Sequence, residues 1–220
     1  MTASILPTLT LDLLKQEARM FANAEKTHAE PTLFGVTDGK AVGGYLEAKF
    51  QNHLAQKYQY AKGNAASGLD LPSLNTDIKT TSIKQPQSSS PFRSARQKIY
   101  GLGYSLLVFV YDKQDDAVGK TASMDVQHVI YVDAHQTADY QMTTAILEVL
   151  ARKGNVDDLV ALMMDKHLPV DDIEATNIAT ELLTNPPAQG YLTISNALQW
   201  RLQYSRVITQ AGAVNGVDRL

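Results

Sequence analysis

An α/β (α+β) fold, with a central mixed β-sheet flanked by helices and a helical C-terminal part, is what this 220-residue sequence predicts. Three observations carry that expectation. Apolar residues recur every three to four positions over 11–23 and 40–60, strand-like β-branched and aromatic runs lie between 76 and 132, and helical spacing returns from Tyr140 onward.

Residues 11–23 read as a helix, with Thr10 as its cap and Leu14, Ala18 and Phe21 along one side. Residues 40–60 make a second, with Val42, Leu46, Phe50 and Leu54 repeating every four. It ends where the chain turns small and polar, over 63–68. Residues 76–83, rich in Thr and Ile, read as a strand. Two prolines and three serines make 85–91 a loop. Residues 104–111 (YSLLVFVY) are the strongest strand, buried on both faces, and 126–132 form another. Four helices follow, over 140–152, 156–167, 171–183 and 195–208. Asn155, Asp157, Asp158, Asp171 and Asp172 supply acidic or capping starts.

Size and composition narrow the class. At 24.1 kDa and 44% hydrophobic, the chain can bury a core of one domain, or one domain with a small appendage. Its net charge of −3 argues against a generally basic nucleic-acid coater. With no cysteine it has no disulfide, thiolate zinc site or cysteine nucleophile. The longest apolar run, 106–111, is too short to span a bilayer, and residues 1–10 lack the pattern of a signal peptide. A soluble, cytoplasmic protein is expected. The charge is uneven: residues 49–120 carry ten Lys/Arg against five Asp/Glu, while both flanks are acidic. A face made for an anion and plain charge scatter both account for this.

The segment 68–82 (GLDLPSLNTDIKTTS) is the informative one. In a strand, Asp77 and Lys79 share a face while Ile78 turns into the core. Asp70 lies seven residues upstream, across the 72–75 bend, close enough to fold back beside them. Two carboxylates and an ammonium on one face are costly without a cation to share the site. Mg²⁺ meets that need with oxygen ligands, and it stabilises the departing oxygen of a phosphodiester. Lys79 would orient the attacking water or offset charge on the phosphate. The competing account is an exposed strand edge decorated with charge.

This segment resembles the PD-(D/E)XK nuclease superfamily, with D-x6-[DE]-x-K spacing close to that of a mismatch-repair nicking endonuclease and its restriction-enzyme relatives. Those proteins place a glutamate on a preceding helix after a lysine and a glycine, as Lys40, Gly43 and Glu47 stand here. The run from Ser82 through Tyr104 is similar to type II restriction endonucleases. The match covers roughly residues 35–112. Leu69 stands where the motif has proline, and Asp77 where glutamate is commoner.

The resemblance implies a restriction-endonuclease-like fold. Asp70, Asp77 and the Ile78 carbonyl would be Mg²⁺ ligands, Glu47 would reach the metal or its waters, and Lys79 would serve the nucleophile. It further implies cleavage of double-stranded DNA at a short sequence by a homodimer matching a palindromic site. A nicking or repair endonuclease, or a catalytically silent DNA-binding protein, are the other readings. For DNA contact, Lys84, Gln85, Gln87, Ser88, Arg93 and Arg96 form a downstream cluster of phosphate- and base-contacting types. Asn196, Gln199, Arg201, Gln203 and Arg206 could form a recognition helix, or that helix could pack the domain or the dimer. Residues 1–139 are thus expected to be the nuclease core. Residues 140–220 are expected to be a helical region for DNA recognition or dimerisation within the same compact domain. The five histidines show no metal-ligand spacing.

Overall fold

The computed structural model describes residues 6–63, 68–195 and 201–220. In chain order the elements are α1 (Leu11–Glu25), α2 (Gly39–Lys57), β1 (Thr76–Ser82), β2 (Gln87–Ser89), α3 (Ala95–Tyr100), β3 (Ser105–Asp116) and β4 (Thr121–Val132). Then come α4 (Tyr140–Ala151), α5 (Val156–Asp165), α6 (Asp172–Thr184), β5 (Thr193–Ile194), β6 (Arg201–Gln203), α7 (Ser205–Gln210) and β7 (Val217–Arg219). The expected α/β class, a central mixed sheet with helices, is what forms.

Space divides the chain into two compact units that each draw on separate stretches of sequence. One comprises Met1–Pro86, Leu106–Tyr131 and Asp218–Leu220; the other comprises Gln87–Ser105 and Val132–Val217.

The first unit is built on a four-stranded sheet in the order β1-β3-β4-β7, which leaves β1 at an edge. Helix α1 starts where Thr10 Oγ1 accepts the Leu13 N–H, and α2 where Asp38 accepts the Lys40 N–H. Their apolar stripes (Leu14, Ala18 and Phe21 from α1; Leu46, Phe50 and Leu54 from α2) close on Ile78, Leu107, Phe109 and Tyr111 of the sheet. Rings of Phe21, Phe50 and Phe109 meet at centroid separations of 4.9–5.9 Å in tilted or edge geometry. Leu106, Val108 and Val110 on the opposite side of β3 are also fully buried, as the continuous apolar run requires. Between the helices, the Glu17 carboxylate is buried. Burial alone would raise it, but hydrogen bonds from Lys57, His53 and Tyr58 outweigh that and hold it at about 2.

The second unit joins helices α3 to α6 around Ile99, Met142, Ile146, Leu159, Met163 and Ile178. The acidic starts expected for α5 and α6 are real. Asn155 and Asp158 form a reciprocal capping box, and Asp171 accepts the Glu174 N–H. A second sheet, in the order β2-β6-β5, belongs to this unit.

Two expectations are corrected here. The 85–91 loop contains β2, because Pro86 and Pro91 flank the strand rather than interrupt it, and β6 supplies its hydrogen bonds with Ser88 opposite Leu202. The single helix over 195–208 does not form. Arg201–Gln203 is a strand and only Ser205–Gln210 is helical, while 196–200 lie outside the described residues. The four-residue spacing of Leu198 and Leu202 suggested a helix. The pattern that wins is alternation, with Leu202 and Tyr204 fully buried and Arg201 exposed.

Phe50 packs between Phe21 and Phe109 with no solvent exposure. Phe50→Ala should therefore cost about 3–5 kcal/mol in urea unfolding. A cost below about 1 kcal/mol would show that this ring contact does not organise the core.

Candidate active site

A short reversal brings Asp70 back to β1. Leu71 and Thr76 exchange backbone hydrogen bonds at 3.0 and 3.2 Å around a 3₁₀ turn, Pro72–Leu74, and Asn75 closes the turn with φ at 46°. Asparagine tolerates that left-handed conformation better than most residues. The Ile78 N–H then donates to Asp70 Oδ2 at 2.9 Å. On β1, Ile78 is fully buried and Asp77 Oδ2 pairs with Lys79 Nζ at 2.5 Å. The period-two reading of 77–79 matches this geometry.

Helix α2 lies against β1 where a side chain on Gly43 would not fit: a Cβ there would stand 2.5 Å from Thr80 Oγ1. One helical turn on, Glu47 is half-buried, within electrostatic reach of Asp70, Asp77 and Lys79. A further turn on, Gln51 donates from Nε2 to Asp70 Oδ1 at 2.9 Å, and its own carbonyl accepts from the Tyr60 hydroxyl. Gln51 was missed in the sequence. The signal was its i+4 spacing from Glu47, which puts both on one helix face.

The electrostatics are those of crowded carboxylates. Glu47 is pushed up to about 7, by burial first and then by the charge of Asp70, with Lys79 opposing. Asp70 is raised by burial and by a hydrogen bond shared with Asp77, against the Ile78 N–H that favours its charged form. A hard divalent cation suits these donors chemically, because all are oxygens and the Glu47 and Asp70 carboxylates are held in settings that penalise their charge. Among the described residues, no three His, Asp or Glu side chains already stand together as a metal site, and the Lys79 ammonium pairs with Asp77.

The other candidates are placed apart in the chain's two units. Lys84 and Gln85 are exposed in the first, and Lys84 pairs with Asp112 at 3.1 Å. Gln87 and Ser88 lie on β2 in the second, where Ser88 Oγ and the Tyr204 hydroxyl stand 2.8 Å apart. Arg93 is exposed, whereas Arg96 pairs with Glu181 at 2.6 Å. Of the C-terminal candidates, Arg201 and Gln203 are on β6 and Arg206 packs over the Tyr140 ring. Asn196 and Gln199 lie outside the described residues. No helix among the described residues is long and apolar enough to cross a membrane.

Residues 8–219, nearly the whole chain, match a family of type II restriction enzymes. That family is described as type II restriction enzyme NspV, and this chain belongs to it. A relative so described, from Nostoc sp. (strain ATCC 29411 / PCC 7524), is 60% identical over 209 residues, covering 95% of each chain. No solved structure matches.

The raised carboxylates carry a stability signature. Folded Glu47 keeps its proton up to about pH 7, whereas an unfolded glutamate releases it near 4.5. The folded state therefore loses stability as pH rises through that window. In EDTA, Glu47→Gln should be more stable than the parent at pH 8 by on the order of 1–2 kcal/mol, allowing for solvent screening at a half-buried site, and equal to it near pH 4. Urea unfolding at both pH values measures this. A variant less stable at pH 8 would mean that Glu47 is a structural hydrogen-bonding residue.

Proposed function

We propose that this chain is an Mg²⁺-dependent type II restriction endonuclease of the PD-(D/E)XK kind. It would act as a cytoplasmic homodimer and hydrolyse both strands of double-stranded DNA at a short specific sequence. The observation that carries this reading is the gathering of Glu47, Asp70, Asp77 and Lys79 about one strand edge, in a chain of a restriction-enzyme family. Asp70, Asp77 and the Ile78 carbonyl would hold the metal, with Glu47 reaching it or its waters from α2. When bound, Mg²⁺ supplies Lewis-acid stabilisation of the charge on the phosphate and the departing oxygen.

The chain's own residues do the rest. Gln51 and the Ile78 N–H fix the two oxygens of Asp70, so that carboxylate arrives preoriented. Asp77 holds the Lys79 ammonium at the same edge, where it orients the attacking water and offsets charge on the scissile phosphate. The raised Glu47 can take a proton from water near neutral pH, as a group poised there does best.

Lys84, Gln85, Gln87, Ser88, Arg93 and Arg96 would contact DNA, the glutamines at base edges and the cations at phosphates. Arg96 and Lys84 must first exchange their carboxylate partners for phosphate. The first unit, with the nuclease machinery, and the second, for recognition or dimerisation, would divide the work.

Asp77→Ala should lower cleavage of plasmid DNA by on the order of 10³-fold while duplex affinity and the thermal midpoint change little, since removing a metal ligand strips several kcal/mol from the transition state. EDTA should stop the parent enzyme and Mg²⁺ restore it. Nicked circles in place of discrete fragments would indicate a nicking enzyme, and full cutting by Asp77→Ala would remove this site from the mechanism.

A further inference from the structure

The second unit contains a cavity of about 680 Å³, walled by Ser89, Ser90, Phe92, Arg93 and Ser94 on one stretch of chain and by Arg201 on another. Strand pairing brings the two together, since Ser89 stands directly opposite Arg201 in the β2–β6 ladder. The backbones at both arginines are anchored. Arg201 N–H donates to Ser195 Oγ and its carbonyl accepts from Ser195 N–H, both at 3.0 Å, and Arg93 N–H donates to Gln97 Oε1 at 2.7 Å.

Both side chains are exposed, and among the described residues neither guanidinium has an ion-pair partner. No carboxylate lines the cavity among the described residues. In a chain with more acids than bases, two guanidiniums without ion-pair partners among the described residues thus share one cavity with a row of serines. Ser90 Oγ accepts the Phe92 N–H at 3.3 Å, which leaves its own proton free to donate.

We propose that this cavity is a clamp for a phosphodiester of the DNA backbone, with Arg93 and Arg201 as paired cations and Ser89 and Ser90 as hydroxyl donors. The proposal rests on the reading of the chain as a DNA endonuclease and adds to it a second-unit anchor that includes Arg201. The guanidinium fork matches two phosphate oxygens at once, and serine hydroxyls complete the donor set. Phosphates carry no sequence information, so this site grips and orients the duplex while base readout lies elsewhere. Arg201, a base-reading type on the helix expected from the sequence, becomes a backbone contact on β6.

The test compares the full-length parent with Arg93→Ala, Arg201→Ala, the double variant and Arg201→Lys. Affinity is measured in EDTA for a duplex from a fragment the parent cuts and for a scrambled duplex, at two or more salt concentrations. Each alanine variant should bind both duplexes about tenfold more weakly at low salt, by the same factor. The slope of log affinity against log salt should fall by about one per arginine removed. Arg201→Lys should keep the slope and recover part of the affinity, and the exposed positions should leave the thermal midpoint unchanged.

Loss confined to the cut duplex would make these residues base readers and overturn the clamp. Unchanged affinity in all variants would overturn it as well, as would stabilisation by inorganic phosphate that vanishes in Arg201→Ala while DNA affinity does not move. A parent that neither binds nor cuts DNA would instead refute the endonuclease reading, and the clamp with it.

Discussion

The close approach of α2 to the edge strand β1 is the contact on which the candidate site depends. The absence of a side chain at residue 43 favours it, since a Cβ there would stand 2.5 Å from Thr80 Oγ1. From that point the 3.6-residue repeat does the rest, since the residues four and eight positions on are Glu47 and Gln51, and both face the Asp70–Lys79 cluster. A side chain at 43 would require the Thr80 hydroxyl or the helix itself to shift. The same approach creates the electrostatic burden, because it brings a third carboxylate to a place already holding two. The molecule tolerates that arrangement through the Lys79 ammonium and the N–H donors of Gln51 and Ile78. The fold around it supplies the rigidity, through the Phe21–Phe50–Phe109 rings on the same helix pair and central strand.

Most of the fold was legible because its long elements repeat a period. The stripe Val42-Leu46-Phe50-Leu54 is buried as a helix, and the unbroken run Leu106–Tyr111 is buried on both faces of a strand. What escaped was structure made by partners rather than by local preference. Gln87–Ser89 has little intrinsic tendency to extend, and becomes a strand only because Arg201–Gln203 lies beside it, more than a hundred residues along the chain. The reverse error, a helix at 195–208, has the same origin. A four-residue leucine spacing is ambiguous over so short a stretch, and the pairing of Leu202 with Ser88 and Ile194 decides it. The division into units was illegible for a related reason, since each is assembled from stretches distant in sequence.

The spatial grouping of Asp70, Asp77 and Lys79 was legible from spacing, because strand alternation and a four-residue bend leave few geometries. The amide that orients Asp70 was not visible, since a glutamine on a polar helix face has no signature until the helix is docked. Nor did sequence separate the cations of the basic middle segment. Lys84, Arg93 and Arg96 look alike in the chain, yet Lys84 and Arg96 are engaged by Asp112 and Glu181, while among the described residues Arg93 has no ion-pair partner.

That distinction explains how an acidic protein can still be suited to a polyanion. Net charge sets the far field, but at physiological ionic strength exposed charges beyond about 8 Å are largely screened, so the cations at the contact decide. A paired cation gives up its carboxylate before it can take a phosphate, and the exchange returns little free energy. An unpaired one releases a condensed counterion from the DNA and contributes fully to affinity and to its salt dependence. On this ground the proposed clamp would rank Arg93 and Arg201 above Lys84 and Arg96 as grips, although Arg201 lies in the acidic C-terminal stretch of sequence. The same screening limits what the acidic flanks can do. Beyond about 8 Å their charge is largely cancelled by salt, so an overall excess of acids does not by itself oppose a contact made by guanidiniums without carboxylate partners.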